Sequence, residues 1–330
     1  KDIRALGFEA HMYKSKKGII NQLRAKVIIH SHAINDDFYK ILLGGAISYN
    51  TWHGVGLKKV WGANTKTFSY KVLHDKNILN RFFGKFVVRT NQAKVNYVVS
   101  TSPQVTAYYP ETFLVNKDHV LEFGQVRNDI FFMETEEDTV LPDWYKKDKI
   151  ILYMPTHRGK GKLDTNINDV IDFAALDRFC AEKGFMFVIK RHMYSSGSVP
   201  VGYKHIIDIS HEAYDPQFLL KYADMLVTDY SSAYTDYLLL KRPVVFYCYD
   251  LTSYLKNSND MYHDYYRVTP GPRPESFDEL LKAIEGAIRN PETYANERER
   301  VLNIFYSEDN QKPVLHKQVD YIYKHLLKVV

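Results

Sequence analysis

The chain has 330 residues, of which 45% are hydrophobic, 14% aromatic and 25% charged, a composition that excludes a disordered or fibrous protein. Lys and Arg outnumber Asp and Glu by 44 to 39, and this net charge of +5 suits an anionic substrate or membrane surface but argues against a nucleic-acid partner. One hydrophobic core seldom serves a chain of this length, so we expect two domains.

The cysteines and the lengths of the apolar runs indicate the cellular compartment in which the protein acts. The two cysteines, Cys180 and Cys248, lie inside apolar segments and predict buried thiols in a reducing, cytoplasmic setting. No run approaches the roughly 20 apolar residues of a transmembrane helix, no signal peptide is visible, and no Cys/His spacing indicates zinc. The chain begins at Lys1 without Met, in what reads as the middle of a domain, so we expect an incomplete amino terminus.

In the first half, short apolar runs predict strands that are separated by polar turns and helices. The predicted strands are Ala25–His30, Ile47–Trp52, Val95–Ser100 and Val120–Gly124. A short helix is predicted at Asp36–Leu43, and Thr101-Ser102-Pro103 is a normal helix start. This alternation is typical of a parallel sheet flanked by helices. The acidic, unpatterned stretch Glu134–Pro142 is the predicted linker between domains 1–135 and 136–312.

A histidine followed by glycines comes directly after the second predicted strand. His53 is succeeded by Gly54 and Gly56, which let the backbone turn sharply, and then by Lys58. An imidazole titrates near neutral pH and would lie here at the edge of the sheet, which suits proton transfer. The local pattern fits a catalytic and a structural histidine equally well.

The second half repeats the alternation of strands and helices. The predicted strands are Ile150–Met154, Phe185–Lys190, His205–Ile209, Met225–Val227 and a strand that starts at Pro243. The predicted helices are Asn168–Lys183, an amphipathic helix after Ser232, Phe277–Asn290, Pro291–Phe305 and Pro313–Val330. Gly184 is a suitable stop for the first of these helices.

Three predicted strand ends of the second half carry groups that bind phosphate. The first is followed by Arg158 within Pro155–Lys162, a stretch that also holds two lysines and two glycines. His192 follows a second strand, and Ser231 and Ser232 follow a third at the start of a helix. The carboxyl ends of parallel strands share one edge, so we expect these groups to converge on one anion. For the two serines, capping the helix is an equally good local explanation.

Five motifs in a fixed order make the chain resemble a known family. They are Trp52-His53-Gly54 followed by Lys58, Gly124-Gln125-Val126-Arg127-Asn128-Asp129, Met154-Pro155-Thr156-His157-Arg158, Lys190-Arg191-His192, and Thr228-Asp229-Tyr230-Ser231-Ser232 with Asp236. Across about residues 20–310 the chain resembles the CDP-glycerol:poly(glycerophosphate) glycerophosphotransferase family, which makes teichoic acids and related phosphate-linked capsules. The resemblance implies a GT-B-like α/β fold: two Rossmann-like domains whose parallel sheets face across a cleft, with 313–330 returning to the first domain.

The resemblance also implies an enzyme and a division of roles among its residues. The reaction would transfer glycerol-phosphate or ribitol-phosphate from a CDP-alditol to a hydroxyl of a saccharide or growing polymer, releasing CMP. His53 would act as the general base, and the donor pyrophosphate would be held by Arg158, His192, Ser231 and Ser232. The supporting residues would be Gly54, Lys58, Arg127, Asp129, Thr156, Lys190, Asp229 and Asp236.

The partners that the resemblance implies are the CDP-alditol donor and a saccharide or phosphate-linked polymer as the acceptor, with no nucleic acid. No cofactor and no metal are expected, because Arg and His groups are present without an evident acidic metal cluster. The chain would act in the cytoplasm, or peripherally at the inner face of the cell membrane, as part of a larger multidomain polymerase.

Two departures from the family pattern leave the donor open. Met193 stands where the family usually has Pro after its Lys-x-His motif, and Met261–Arg267 replaces an Arg-Gly-Phe-Tyr stretch before Pro270-Gly271-Pro272. The second region is expected to shape the alditol pocket, so glycerol and ribitol both remain. Two other functions also fit: a GT-B glycosyltransferase that uses a nucleotide sugar, and a non-catalytic polymer-binding module.

Overall fold

Two parallel β-sheets, each in a unit of its own, organise the chain. The computed structural model describes residues 3–91, 96–134, 142, 145, 149–158, 165–192, 195, 197–257 and 260–328. The first unit comprises Lys1–His53, Val60–Val126 and Val314–Val330, and the second comprises Gly54–Lys59 and Arg127–Pro313. Relative to the predicted domains 1–135 and 136–312, this division puts the main boundary earlier, after Val126, and assigns the short segment after His53 to the second unit.

The sheet of the first unit has four parallel strands. They are β1 (Val27–His30), β2 (Ile47–Asn50), β3 (Tyr97–Ser100) and β4 (Val120–Glu122), and they pair in sequence order. The register aligns Ile29 with Tyr49 and Val98 with Val120. The helices around the sheet are α1 (Lys16–Arg24), α2 (Ile34–Asp37), α3 (Phe68–Leu73), α4 (Ile78–Asn91) and α5 (Pro103–Phe113), with 3-10 turns at Ile3–Leu6, Lys40–Leu43, Trp61–Ala63 and Lys117–His119.

The sheet of the second unit has five parallel strands. They are β5 (Lys149–Tyr153), β6 (Phe185–Ile189), β7 (Ile206–Asp208), β8 (Met225–Thr228) and β9 (Val244–Phe246), in the spatial order β7-β6-β5-β8-β9. Its helices are α6 (Phe173–Lys183), α7 (Pro216–Tyr222), α8 (Ala233–Tyr237), α9 (Leu251–Asn257), α10 (Tyr265–Val268), α11 (Phe277–Arg289) and α12 (Ala295–Phe305). Further 3-10 turns lie at Val126–Phe132, Ile167–Asp169, Leu238–Leu240, Pro291–Tyr294 and Glu308–Asn310.

Burial of the apolar runs stabilises them as strands. It also fixes the position at which each following polar turn begins. Strands β6 and β8 are buried along their whole length, as expected for parallel strands that are covered on both faces. Ile151, Phe187 and Val227 of the sheet share one core cluster with Leu280 and Ile284 of α11. Burying one such side chain contributes about 1.5–3 kcal/mol, so the core fixes the strands and, with them, the start of each polar turn.

The carboxyl-terminal segment of the chain belongs to the first unit. Helix α13 (Leu315–Tyr321) continues as a π-helical stretch at Ile322–Leu327. Ile322 packs with Tyr49 of β2 in a core cluster. The Gln318 side chain accepts a hydrogen bond from the Tyr49 hydroxyl (3.0 Å) and donates to the Gly124 carbonyl (2.8 Å). Packing and hydrogen bonds therefore tie the end of the chain to the first sheet.

Each strand predicted from the sequence is present among the described residues, with small shifts at its ends. The single helix predicted at Asp36–Leu43 is wrong. The chain forms α2 and then, separately, the 3-10 turn Lys40–Leu43. The Tyr39 N–H donates to the Gln22 side-chain oxygen (2.7 Å) instead of to a helical carbonyl, and this contact interrupts the helix.

Helix ends in the second unit differ from the prediction at their amino-terminal sides. Helix α6 starts at Phe173 rather than Asn168, because the Asp172 side chain accepts from the Ala175 N–H and caps it there. It ends as predicted at Gly184, whose φ of +69° lies in the left-handed region. The predicted Pro291–Phe305 helix is a 3-10 turn followed by α12. The helices that the sequence did not predict are α1, α3, α4, α7, α9 and α10.

The two thiols are buried and free, as predicted. Burial raises the pKa of Cys180 and of Cys248 to about 12. No helix in the described parts of the chain is long and apolar enough to cross a bilayer. Most of the predicted linker Glu134–Pro142, the Gly159–Lys162 stretch and Met193 lie outside the described residues.

Candidate active site

The polar turns that follow neighbouring strands lie at the carboxyl edge of the second sheet. Thr156 and Arg158 follow β5, while Asp229 follows β8. The Thr156 N–H donates to the Asp229 carboxylate (2.8 Å), which joins these two turns. Thr156, Arg158 and Arg191, the last from the turn after β6, line one small cavity. Three of the strand ends that the sequence singled out are therefore brought together.

A buried ion-pair cluster centred on Arg158 occupies this edge. Only 4% of the Arg158 side chain is exposed. Its Nε and Nη2 atoms donate to the two carboxylate oxygens of Asp250, each at 3.0 Å, and its Nη1 donates to Asp229 and to the Thr156 carbonyl. Burial by itself lowers the pKa of Arg158, but the charge of Asp229 and the hydrogen bond with Asp250 outweigh it, so the pKa is raised.

The contacts of Arg158 determine how available its guanidinium is to a phosphate, the ligand expected from the sequence. Every guanidinium nitrogen already donates to a carboxylate, and the ring centres of Tyr230, Tyr249 and Tyr254 lie 5.3, 5.2 and 5.6 Å from its central carbon. A donor phosphate would have to compete with two carboxylates for this side chain. The arrangement favours Arg158 as the residue that holds both aspartates in place.

Lys58 supplies a second cation near the same cluster. It lies in the Gly54–Lys59 segment of the second unit and forms an antiparallel bridge with Met261. Its Nζ is 5.1 Å from the centre of the Tyr254 ring, and the described residues give it no hydrogen bond or ion pair. Burial lowers the pKa of Lys58, and the nearby charge of Asp229 opposes that shift. A half-buried cation without a carboxylate partner is typical of an anion-binding site.

Ser231 and Ser232 come directly after the β8 turn and open helix α8. The Ser231 hydroxyl oxygen accepts from the Ala233 N–H at 3.3 Å. The Ser232 side chain makes no capping hydrogen bond, although Ser232 occupies the cap position. Capping alone therefore does not account for Ser232.

His192 is exposed after β6 and stacks on a second histidine. The ring centroids of His192 and His157 are 4.7 Å apart. Burial and the neighbouring His157 lower the pKa of His192, which favours its neutral form. Among the described residues the buried Nδ1 of His157 has no hydrogen-bond partner.

Lys190, predicted as a supporting residue, contacts the loop after β7. Its Nζ donates to the carbonyls of Ile209 (3.2 Å) and Glu212 (2.5 Å), and these hydrogen bonds stabilise that loop.

The buried carboxylate of Asp236 is linked to two other supporting residues, Arg127 and Gly54. Asp236, which is 1% exposed, accepts hydrogen bonds from the side chains of Asn128 (3.0 Å), Gln217 (2.9 Å), Tyr306 and Arg127. The Arg127 guanidinium in turn lies against Gly54, where an added Cβ would be 2.3 Å from Nη2. Gly54 also has a φ of +123°, so both space and backbone conformation require glycine. Asp129, 6% exposed, is buried in the same unit.

In the first unit, the candidate base His53 stands beyond the end of β2. Its side chain is exposed, and its Nδ1 lies 2.8 Å from the carbonyl oxygen of Ser31, which follows β1. Because a carbonyl can only accept, Nδ1 carries the proton, and Nε2 has the lone pair in the neutral ring. The rings of Trp52 and His32 contact that of His53, with centroid distances of 3.9 and 4.9 Å.

Asp250, His32 and the tyrosine rings around Arg158 were not predicted from the sequence. Asp250 comes after β9, the neighbour of β8, and His32 comes after β1, the neighbour of β2. The signal for both is the same: a polar residue just past the end of a strand that lies next to one already singled out. Strand order supplies that signal, and the sequence alone did not give the order.

The chemistry that these groups can perform differs between the units. The first unit offers an imidazole whose Nε2 can accept a proton. The second unit carries an ammonium group, hydroxyls and an imidazole, which are groups of the kind that bind anions, and the last two follow the ends of parallel strands. Within the described residues no group of three or more His, Cys, Asp or Glu side chains is arranged to hold a metal ion.

Comparison with known proteins identifies the family. The family model described as CDP-Glycerol:Poly(glycerophosphate) glycerophosphotransferase matches residues 5–322. A teichoic acid poly(ribitol-phosphate) polymerase of Bacillus spizizenii is 29% identical over 272 residues, which cover 76% of this chain and 40% of that protein. A teichoic acid glycerol-phosphate transferase of Staphylococcus aureus is 29% identical over 271 residues, which cover 78% of this chain and 65% of that protein. The chain spans about half the length of the curated relatives it matches.

The solved structure of the wall teichoic acid polymerase TagF is similar in fold. It superposes with a TM-score of 0.74 at 22% identity, covering 95% of this chain and 76% of that one. At this identity the likeness establishes the fold, which is α/β with two parallel sheets. Because the family model spans nearly the whole sequence, the chain belongs to the CDP-glycerol:poly(glycerophosphate) glycerophosphotransferase family.

Proposed function

We propose that the chain transfers glycerol-phosphate or ribitol-phosphate from a CDP-alditol to a hydroxyl of a saccharide or growing polymer, releasing CMP, in teichoic acid or capsule synthesis. Family membership supports this reaction, and the two relatives named above are a ribitol-phosphate polymerase and a glycerol-phosphate transferase. The observation that carries the proposal is the Lys58 cation beside the Arg158 cluster, to which the described residues give no carboxylate partner, in the unit whose β8 end bears Ser231 and Ser232.

In the proposed reaction the acceptor oxygen attacks the phosphorus that bears the alditol. A new oxygen–phosphorus bond forms, and the bond from that phosphorus to the oxygen bridging to CMP breaks, so CMP leaves with the electron pair. His53 takes the proton of the acceptor hydroxyl on Nε2, and positive charge does not build up on the attacking oxygen. Positioning and charge stabilisation supply most of the acceleration in phosphoryl transfer.

The donor pyrophosphate is assigned to Lys58, His192, Ser231 and Ser232. The Lys58 ammonium offsets the charge that develops on the leaving CMP, and a charge-assisted hydrogen bond of this kind contributes about 1.5–3 kcal/mol. The hydroxyls and the neutral His192 ring add uncharged donors. Arg158 acts indirectly in this assignment, because it fixes the two aspartates that border the site.

Two further features belong to the proposal. The reaction proceeds without a metal cofactor, since the Lys58 ammonium provides the positive charge that a divalent cation provides in other phosphoryl transferases, and the hydroxyls and the neutral His192 ring add hydrogen-bond donors. The architecture is of the GT-B type, as the family resemblance implies and as the two parallel sheets support.

A peripheral contact with an anionic membrane at its cytoplasmic face is also part of the proposal. Helices α3 and α4 expose large apolar side chains: Phe68 (65%), Ile78 (71%), Leu79 (67%), Phe82 (70%) and Phe83 (65%). Exposed basic residues lie on or beside the same helices: Lys66, Lys71, Lys76 and Arg81. Gly84 lets the two helices approach closely, because a Cβ there would be 1.8 Å from Val72. Apolar and basic side chains together bind an anionic bilayer surface.

Calorimetric titration of CMP, CDP-glycerol, CDP-ribitol and UDP-glucose, in the presence of EDTA, tests the donor half of the proposal without knowledge of the acceptor. We expect CMP and one CDP-alditol to bind, and the preferred alditol names the donor. Release of CMP with poly(glycerol phosphate) as acceptor then tests transfer. A preference for UDP-glucose would identify a glycosyltransferase, and no binding of any nucleotide would identify a non-catalytic module. Loss of CMP release in EDTA would overturn the metal-independent reaction.

A further inference from the structure

We propose that His32 is a positioning residue for His53: its stacked imidazole, together with the strained Trp52 peptide, holds the His53 ring so that Nε2 is the proton-accepting atom. The inference rests on the proposed role of His53 as the general base. The inference specifies which nitrogen of His53 accepts the proton and which residues orient the His53 ring.

The residue before His53 has a strained backbone. Trp52 has a φ of +56°, in the left-handed region that a bulky side chain rarely adopts. Its N–H donates to the side-chain oxygen of the fully buried Asn50 (2.7 Å), and its ring packs edge-on against Trp61 and Phe113, with centroids 5.1 and 4.9 Å away. These contacts maintain the conformation that turns the His53 ring toward the end of β1.

The carbonyl that accepts the His53 Nδ1–H is fixed as well. Ser31 and His32 form the turn after β1, and His30, the last residue of that strand, donates from Nδ1 to the His32 carbonyl (2.7 Å). The other ring nitrogen of His30 pairs with the Ser48 hydroxyl (2.7 Å). Burial lowers the pKa of His30, which keeps its ring neutral and this bonding pattern intact near pH 7. The turn therefore presents the Ser31 carbonyl in one place.

His32 adds a ring contact to this hydrogen bond. Its ring lies within 16° of parallel to that of His53, with centroids 4.9 Å apart, and its Nδ1 is 2.8 Å from the Ser31 hydroxyl oxygen. Both histidines are exposed, so core packing does not fix the His53 ring. Without lateral contacts an exposed imidazole can rotate about its Cβ–Cγ bond, which takes Nδ1 away from the Ser31 carbonyl and lets either nitrogen carry the proton. Holding one orientation keeps the base in the geometry that the transfer requires.

Steady-state release of CMP by the 330-residue chain, with CDP-glycerol or CDP-ribitol as donor and poly(glycerol phosphate) as acceptor, tests the proposal. His32→Ala removes the stacked ring and should lower kcat about three- to tenfold, while KM for the donor changes less than about twofold. His32→Phe restores a flat ring without nitrogens and should recover most of kcat. As a control, His119→Ala removes an imidazole that packs on Tyr97 (4.8 Å) elsewhere in the first unit, and kcat should not change.

A second measurement does not depend on turnover. The 15N chemical shifts of the His53 ring report which nitrogen is protonated, and the loss of these signals in His53→Gln assigns them. The neutral ring should carry its proton on Nδ1 in the wild-type chain. In His32→Ala the tautomer protonated on Nε2 should gain population, because the ring loses one of the contacts that keep Nδ1 at the Ser31 carbonyl.

A His53 ring protonated on Nε2 in the wild-type chain would overturn the proposal, and so would an unchanged kcat and tautomer in His32→Ala. A His32→Phe variant as slow as His32→Ala would also overturn it, because the nitrogens of His32 rather than its ring would then be required. If the wild-type chain released no CMP from either donor while His53 kept the expected tautomer, the proposed function would fail and the orientation of the ring would stand.

Discussion

The two units hold their candidate site residues in opposite ways. In the second unit Arg158 is 4% exposed, and two carboxylates fix its position through short ionic contacts. In the first unit His53 is exposed, and one backbone carbonyl and two neighbouring rings fix it. The arrangement around Arg158 depends on ionic attraction, whereas the arrangement around His53 depends on one hydrogen bond and on contacts between rings.

The difference follows from what each group must do. A buried charge is stable only with its partners, so Arg158 and its aspartates form a set in which the loss of one member leaves the others unpaired. An acid–base group has to exchange a proton with its surroundings, so an exposed imidazole that weak contacts orient is better suited. Substitution of Arg158 should therefore lower the stability of the second unit, whereas substitution of His53 in the first unit should lower the rate of the reaction.

The largest effect expected is on rate, in the first unit. His53→Ala should lower kcat about 10²- to 10⁴-fold, because a general base usually contributes that much. The affinity for CMP and the unfolding temperature should be nearly unchanged, since the side chain is exposed. Kinetics of CMP release and calorimetry with CMP provide the measurement. An equal loss of turnover and CMP affinity would contradict the division of roles.

The corresponding test in the second unit is on stability. Arg158→Ala should lower the free energy of unfolding by about 3–5 kcal/mol, because it leaves the buried carboxylate of Asp229 and the partly buried carboxylate of Asp250 without their cation. Lys183→Ala is the matched control: its ion pair with Glu285 (2.7 Å) lies at the surface and should contribute about 0–1 kcal/mol. Urea denaturation monitored by circular dichroism measures both. Equal values for the two variants would mean that the Arg158 cluster does not stabilise the fold.

Two glycines of the second unit differ both in backbone strain and in the space around the missing Cβ. Gly54→Ala should lower the free energy of unfolding by about 2–3 kcal/mol, since it combines a φ of +123° with a clash against Arg127. Gly184→Ala, with a φ of +69° and no atom within 4 Å of the added Cβ, should lower it by about 1 kcal/mol. Urea denaturation measures both variants, and the difference between them combines the more strained backbone of Gly54 with its clash against Arg127. Similar values would show that neither adds to the cost and that Arg127 moves aside readily.

A test of donor binding sharpens the contrast between Arg158 and Lys58. Lys58→Ala should weaken CMP binding about 10- to 100-fold with little change in stability, because Lys58 has no partner among the described residues to leave unpaired. Lys59→Ala, which removes the neighbouring positive charge, is the control and should bind CMP nearly as the wild-type chain does. Calorimetric titration with CMP measures the affinity of both variants and of the wild-type chain. Unchanged affinity in Lys58→Ala would remove this residue from the donor site.

The smallest expected effect concerns the surface of the first unit. The double variant Phe82→Ser, Phe83→Ser should bind phosphatidylglycerol vesicles about tenfold more weakly, because two exposed rings no longer enter the bilayer. Val201→Ser, which replaces a 96% exposed apolar residue of the second unit, is the control. Co-sedimentation measures binding, with phosphatidylcholine vesicles as the uncharged reference. Binding that is the same in all variants would exclude α3 and α4 from membrane contact.

The strands could be predicted because parallel strands that are covered on both faces are continuous apolar runs, as Phe185–Ile189 is. Helices α3 and α4 could not, because their large apolar residues face solvent and give no core-directed period. The same contrast holds at the site. His53, Arg158 and Ser232 were recognisable as residues just past strand ends, which is a local property of the sequence.

The partners of these residues were not recognisable. That Arg158 pairs with Asp250 depends on β9 lying next to β8 and on how far each side chain reaches. That His53 contacts His32 depends in the same way on the pairing of β1 with β2. The sequence therefore indicated candidate groups for the chemistry, and the three-dimensional arrangement showed that Arg158 is paired with carboxylates whereas Lys58 has no carboxylate partner among the described residues.

The assignment of Gly54–Lys59 to the second unit has a consequence for building chimeras from relatives. The chain changes unit after His53, after Lys59, after Val126 and after Pro313. A swap of Arg127–Pro313 alone would join a foreign sheet to a native Gly54–Lys59 segment and put its antiparallel bridge at position 261 at risk. Functional hybrids should arise only when both segments come from the same parent, so recombination breakpoints are expected on either side of this short segment.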